Sequence, residues 1–250
     1  MARAFVFPGQ GSQAVGMGKE LSEALPTARA VFEEVDEALS QNLSRLMFEG
    51  PIEELTLTEN AQPALMAMSL AVTRVLRQDG GMEFGKHCQF VAGHSLGEYS
   101  ALCAADALAL DATAQLLKKR GQAMQQAVPV GQGTMAALLG LDFEAAAGVA
   151  ADAAQGQVCD VANDNAPGQV VVSGNVEAVE RAVELAKDRG ARRPMLLPVS
   201  APFHCALMQP AADIMAEALE ISPPIAPAVP LVANVAAAAV SDPDEIRDLL

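Results

Sequence analysis

The sequence is short of basic residues, cysteine and histidine and has no long apolar run, and each shortage closes off a class of function. Sixteen lysines and arginines stand against 31 aspartates and glutamates, a formal charge of −15. Such a chain repels phosphate backbones, so no nucleic-acid partner is expected unless its cations cluster, and they are mostly scattered. No stretch reaches the roughly 18 apolar residues of a membrane span. The opening MARAFVFPGQ has neither the charged start nor the long apolar middle of a secretory signal. No membrane partner and a cytoplasmic location are the expectation. The four cysteines, Cys88, Cys103, Cys159 and Cys205, show neither C-x-x-C spacing nor a zinc-type Cys/His pattern. Reduced thiols and no structural metal follow.

What is present suffices for a sizeable core: 250 residues, 51 % of them hydrophobic, fit one large domain or a domain with a smaller insert. Residues 3–7 read as a buried strand that stops at Pro8-Gly9-Gln10-Gly11-Ser12. Helical patterns follow at about 27–39, 51–56 and 61–79, the last with Pro63 in its first turn, and CQFVAGH, 88–94, returns as a strand. Strands alternating with helices predict a mostly parallel sheet with functional loops at the carboxyl ends of its strands. From about 128 to 198 the order becomes β-α-β-β-α-β, the signature of a ferredoxin-like module. The expectation is an α/β chain in which 1–127 and 199–250 form the large domain and 128–198 the small one. SPPIAPAVP, 222–230, reads as an ordered proline-rich crossing before a strand-like LeuValAlaAsnVal.

Gly93-His94-Ser95-Leu96-Gly97 fits G-x-S-x-G, a sharp strand-to-helix turn in which small neighbours let a strained serine present its hydroxyl. The helix that follows aims its first N–H groups at the serine, and that of Leu96 is placed for a developing oxyanion. A serine hydroxyl needs a neighbouring base at neutral pH. Of three histidines, His87 precedes the strand in a polar turn and His94 should leave the corner on the other side of the backbone. His204, in SerAlaProPheHisCysAlaLeu, follows the small module's last strand and is the candidate base.

The helix read from Asp111, as N-cap, to about Ala127 gathers Leu116, Leu117, Ala123 and Met124 on one side, with Arg120 in their midst. A charge there needs a partner. Periodicity leaves open a structural ion pair and a bound carboxylate, which the planar guanidinium fork also fits.

Three separated segments, FPGQGSQ at 7–13, GHSLGEYSAL at 93–102 and PFHCALM at 202–208, resemble the malonyl-CoA:acyl carrier protein transacylase family, as do TENAQPAL, KRGQAMQ and NAPGQVVVSG. The resemblance covers essentially the whole chain and implies an α/β-hydrolase-like domain with a ferredoxin-like insert. It implies that Ser95 is the nucleophile and His204 the base, with Gln10 and Leu96 as the oxyanion hole. Arg120 would hold the malonyl carboxylate, Gln62 and Asn165 would line the pocket, and Phe203 with Leu96 would disfavour an α-methyl branch. Malonyl-CoA and an acyl carrier protein are the implied partners, in ping-pong transfer without a cofactor by a monomer that supplies fatty acid biosynthesis. The carrier is acidic, so it needs a basic patch, for which Arg189, Arg192 and Arg193 are the first candidates and Lys118 with Lys119 the second. Family members usually continue several dozen residues beyond a point such as Leu250, and that segment commonly supplies a backbone acceptor that orients the histidine. Either the chain is a shortened form or another element orients His204.

Two rivals remain at this level. A serine hydrolase would need an acid between serine and histidine in chain order, formally Asp160 or Asp164. A non-catalytic carrier-docking protein would form no acyl-enzyme.

Overall fold

The computed structural model describes residues 3–199 and 201–250. The chain divides into two compact units, one built from 1–122 with 215–250 and the other from 123–214. The changeovers between the units fall within the helices spanning 110–127 and 209–221.

In the first unit, β1 (Ala4–Phe7) is followed by α1 (Lys19–Ala24), α2 (Pro26–Leu39), α3 (Leu43–Glu49), α4 (Ile52–Thr56), α5 (Thr58–Gln78) and α6 (Phe84–His87). Then come β2 (Phe90–Gly93), α7 (Leu96–Ala104) and α8 (Leu110–Ala127). The α5 helix starts three residues before the expected 61, because the Leu57 carbonyl accepts the Asn60 and Ala61 N–H groups, each at 2.8 Å. Pro63 is therefore inside the helix and not in its first turn. Asp111 is likewise the second residue of α8 rather than its N-cap. All nine residues of α7 are buried, as a helix apolar on every side requires. The 222–230 crossing is ordered: Ile225 and Ala228 N–H groups donate to the Ala107 and Ala105 carbonyls. It leads to β7 (Leu231–Ala233), β8 (Ala238–Val240) and α12 (Pro243–Leu249), after α11 (Gln209–Ile221). The sheet order is β1-β2-β7-β8, parallel except for β8, and Phe7 is level with Gly93. The α/β reading with a largely parallel sheet holds.

The second unit carries β3 (Gly133–Leu139), α9 (Phe143–Ala154), β4 (Cys159–Ala166), β5 (Gln169–Asn175), α10 (Val176–Asp188) and β6 (Arg193–Leu196). The predicted β-α-β-β-α-β order is present, in an antiparallel sheet ordered β4-β5-β3-β6. Alternation along the strands makes two cores. Ala136, Leu138, Val170 and Val172 pack with Val149, Ala150, Val179 and Ala182 of α9 and α10. Met135, Ala137 and Val171 face the other way and pack with Ala201, Phe203 and Met208. A β-bulge between Asp164 and Ala166 leaves Asn165 as the extra residue opposite β5, and such bulges re-aim side chains.

Candidate active site

The corner after β2 is dictated by backbone contact. A Cβ on Gly93 would lie 1.9 Å from the Gly97 carbonyl carbon and oxygen, and one on Gly97 would lie 2.4 Å from the Phe7 oxygen, so only glycine fits either place. Ser95 between them has φ +54° and ψ −109°, a conformation costing an L-residue about 1–3 kcal/mol. His94 is exposed and packs against the first loop, where a Cβ on Gly9 would meet its Nδ1 at 2.5 Å. His87 ends α6, and its Nδ1 accepts the Glu83 N–H at 3.0 Å.

Arg120 reaches this corner from α8. Its Nη2 donates to Ser95 Oγ at 3.0 Å and its Nη1 to Gln62 Oε1 at 2.9 Å, while the guanidinium carbon lies 5.7 Å from the Tyr99 ring centre. Burial pulls its pKa down, against the nearby Tyr99 and Glu98. Among the described residues no carboxylate forms a salt bridge with it, so the structural ion pair that periodicity left open is not made. A guanidinium held beside a serine hydroxyl by neutral acceptors is suited to an incoming carboxylate. Gln10 Nε2 donates to Thr58 Oγ1 at 3.3 Å. Leu96 is the first residue of α7, so its N–H has no acceptor within the helix.

Two residues that sequence reading passed over complete the corner. Glu98, 5 % exposed in α7, has its pKa pushed up to about 7 by burial, opposed by the Asn234 N–H and by Arg120. Asn234, just beyond β7, accepts the Ser95 N–H on Oδ1 at 2.8 Å. Its signal was its place at the carboxyl end of a strand, where such sheets keep functional groups; that of Glu98 was an acid in an otherwise apolar helix.

Within the second unit, His204 sits at φ +58° and is half-buried. Its loop is tied by Asp160 Oδ2, which accepts the Ala206 N–H at 2.8 Å, and by the Cys205 thiol, which donates to the Pro202 carbonyl at 3.2 Å. Pro202 lies against the start of β3: a Cβ on Gly133 would be 2.3 Å from its ring. Phe203 is 8 % exposed within the Met135–Ala137–Val171 core. Of the proposed docking cations, Arg189 is paired with Asp152, whereas Arg192 and Arg193 are exposed. Lys118, of the alternative patch, pairs with Glu59 at 3.1 Å.

Ser95, Arg120 and Gln62 are thus joined by hydrogen bonds in one unit, and His204, Phe203 and Asn165 belong to the other. Burial raises the Cys103 and Cys159 thiols to about 12 and about 11, leaving neither as a thiolate at neutral pH. A cavity of about 700 Å³ lined by Arg74, Arg77, Phe84 and Cys103 takes in none of the expected residues, so volume alone does not mark the site. No helix among the described residues is long and apolar enough to cross a membrane, and no cluster of metal-ligating side chains occurs among them.

The acyl transferase domain family matches residues 4–246. The malonyl CoA-acyl carrier protein transacylase of Bacillus subtilis (strain 168) is 48 % identical over 248 residues, 99 % of this chain and 77 % of that protein. The crystal structure of the acyl-carrier-protein S-malonyltransferase from Bartonella henselae is 58 % identical with a TM-score of 0.97, over 100 % of this chain and 79 % of that one. A malonyl-transacylase solved in complex with the holo form of its type II polyketide acyl carrier protein is 43 % identical with a TM-score of 0.94, over 100 % and 79 % of the two chains.

Proposed function

The chain belongs to the acyl transferase family and transfers malonyl groups to acyl carrier protein for fatty acid synthesis, and from that premise we propose how its residues do so. Ser95 is the nucleophile. His204 takes the hydroxyl proton as Oγ attacks the thioester carbonyl of malonyl-CoA, and the oxyanion that forms is held by the Leu96 N–H and by Gln10. Collapse breaks the carbon–sulfur bond, and CoA leaves as the thiol with the proton from His204. The phosphopantetheine thiol of the carrier then gives its proton to His204 and attacks the malonyl-serine carbonyl; collapse breaks the ester carbon–oxygen bond, and His204 returns the proton to Ser95 Oγ. The acyl group arrives already activated, so the transfer needs no cofactor.

Arg120 is what suits the site to malonyl. Its fork exchanges the Ser95 and Gln62 contacts for the malonyl carboxylate, which holds the acyl-enzyme in one pose for the incoming thiol. The single observation that carries this reading is the guanidinium 3.0 Å from Ser95 Oγ with no carboxylate in a salt bridge to it among the described residues. Asn165 lines the pocket, and the bulk of Phe203 and Leu96 disfavours an α-methyl branch. In this reading residues 1–127 with 199–250 make an α/β-hydrolase-like catalytic domain and 128–198 a ferredoxin-like one. The enzyme acts as a cytoplasmic monomer, and the acidic carrier docks on Arg189, Arg192 and Arg193.

Intact-mass spectrometry after mixing with malonyl-CoA or acetyl-CoA tests this. We expect a malonyl adduct on the wild type, none on Ser95→Ala, and on Arg120→Ala a malonylation rate about 100-fold lower with acetylation little changed. Equal losses with both donors would remove the carboxylate role. Continued turnover of malonyl-CoA without the carrier, beyond the one equivalent of CoA released on acylation, would mark a hydrolase instead.

A further inference from the structure

The Asn234 carboxamide grips the serine corner from both sides: Oδ1 accepts the Ser95 N–H at 2.8 Å and Nδ2 donates to the Gly93 carbonyl at 2.6 Å. Its backbone N–H is in turn held by Glu98 Oε1 at 3.1 Å. The two peptide groups it bridges are those on either side of His94, the stretch where the chain leaves β2 and has not yet entered α7. Neither regular element supplies an acceptor for the Ser95 N–H there. Left-handed backbone at a non-glycine residue persists only where its surroundings over-determine it.

We propose that Asn234 is a positioning residue for Ser95: by bridging the Gly93 carbonyl and the Ser95 N–H it locks the left-handed corner and so sets the direction of Oγ, while Glu98 holds Asn234 through its backbone. A reacting atom displaced by about 1 Å lowers a rate by about 100-fold, which makes so direct a clamp consequential. This rests on Ser95 being the nucleophile.

The test is the pre-steady-state rate of malonylation by malonyl-CoA in the wild type, Asn234→Ala and Asn234→Asp, with Ser95→Ala as control, over the pH range in which carboxyls and histidine titrate. Asn234→Ala is expected to acylate about 100-fold more slowly while malonyl-CoA binding changes less than about threefold and melting is retained. In Asn234→Asp the ionised carboxylate still accepts the Ser95 N–H but cannot donate to Gly93, whereas the protonated carboxyl does both. The ratio of this variant's rate to the wild-type rate therefore rises as pH falls. Taking the ratio removes the pH dependence that both proteins share. The titratable groups around the corner are His94, Glu98, Tyr99 and Arg120, and β2 and β8 contribute none. A wild-type rate in Asn234→Ala, a ratio flat with pH, or a rate loss that only follows lost folded protein overturns the proposal. Malonylation of Ser95→Ala would instead overturn the nucleophile on which it rests.

Discussion

Two corners are proposed to carry the chemistry, and the molecule holds them by different means. Ser95 and His204 are both non-glycine residues at positive φ, +54° and +58°. At Ser95 the backbone leaves no choice, since a strand ends, a helix begins, and Gly93 and Gly97 have no room for one more carbon. At His204 the ties come from side chains, the Asp160 carboxylate on the Ala206 N–H and the Cys205 thiol on the Pro202 carbonyl. A corner made by backbone contact fails outright when a methyl group is added. A tethered corner loosens by degrees.

Gly93→Ala breaks the comparison most completely. With its Cβ 1.9 Å from the Gly97 backbone, we expect a loss of more than about 4 kcal/mol, read as the disappearance of the native melting transition. A folded, active variant would show that backbone contact does not dictate the corner. His204→Ala comes next: malonylation should fall about 100- to 10,000-fold, the worth of a general base, with the melting temperature kept. Unfolding instead of inactivity would make that histidine structural.

Asp160→Ala sharpens the contrast, since loss of one tether should slow malonylation only about tenfold, the scale of one hydrogen bond. Asp160→Asn retains an acceptor oxygen and should regain most of the rate. If the two variants behave alike, the tether is not what holds the loop.

Glu98 sets the pH response of the first corner. Its folded pKa of about 7, raised by burial, lies above the ordinary carboxyl value of 4.5, so between these pH values the folded state keeps a proton that the unfolded state has lost. Stability should therefore fall as pH rises from about 4.5 to about 7, by at most about 3 kcal/mol, and level off above. In Glu98→Gln that decline should shrink, as measured by urea unfolding at each pH, and an unchanged slope would remove the assignment. The smallest effect is expected at the second unit's surface, where Arg192→Glu with Arg193→Glu should raise the carrier KM about threefold and leave malonylation by malonyl-CoA untouched.

The legible parts of the sequence were those with local causes. Gly93 and Gly97 announce the sharp turn around Ser95, and the β-α-β-β-α-β order from 128 to 198 announces the second unit's elements, while the two cores packed against its sheet and the Asp142 cap on α9 came only from the structure. Arg120 stood out because a charge on an apolar face demands a partner. The helices α1, α3, α6, α11 and α12 were not read, α6 having been taken for a polar turn, although Asp242-Pro243 carries a start signal for α12 that local reasoning can find. The place of Asn234 at the end of a strand was legible, but its partners were not, because they lie 139 and 141 residues earlier in the chain.

By itself the sequence determined which groups are available: a serine that only a glycine-flanked turn can present, few histidines to serve it, and one arginine out of place on a buried face. Tertiary structure alone decided how they are used. Whether Arg120 met a carboxylate or a serine hydroxyl, and whether the strained corner found a clamp, depended on side chains brought from distant strands and helices. Periodicity specifies the face a residue occupies, but its partner is chosen by packing.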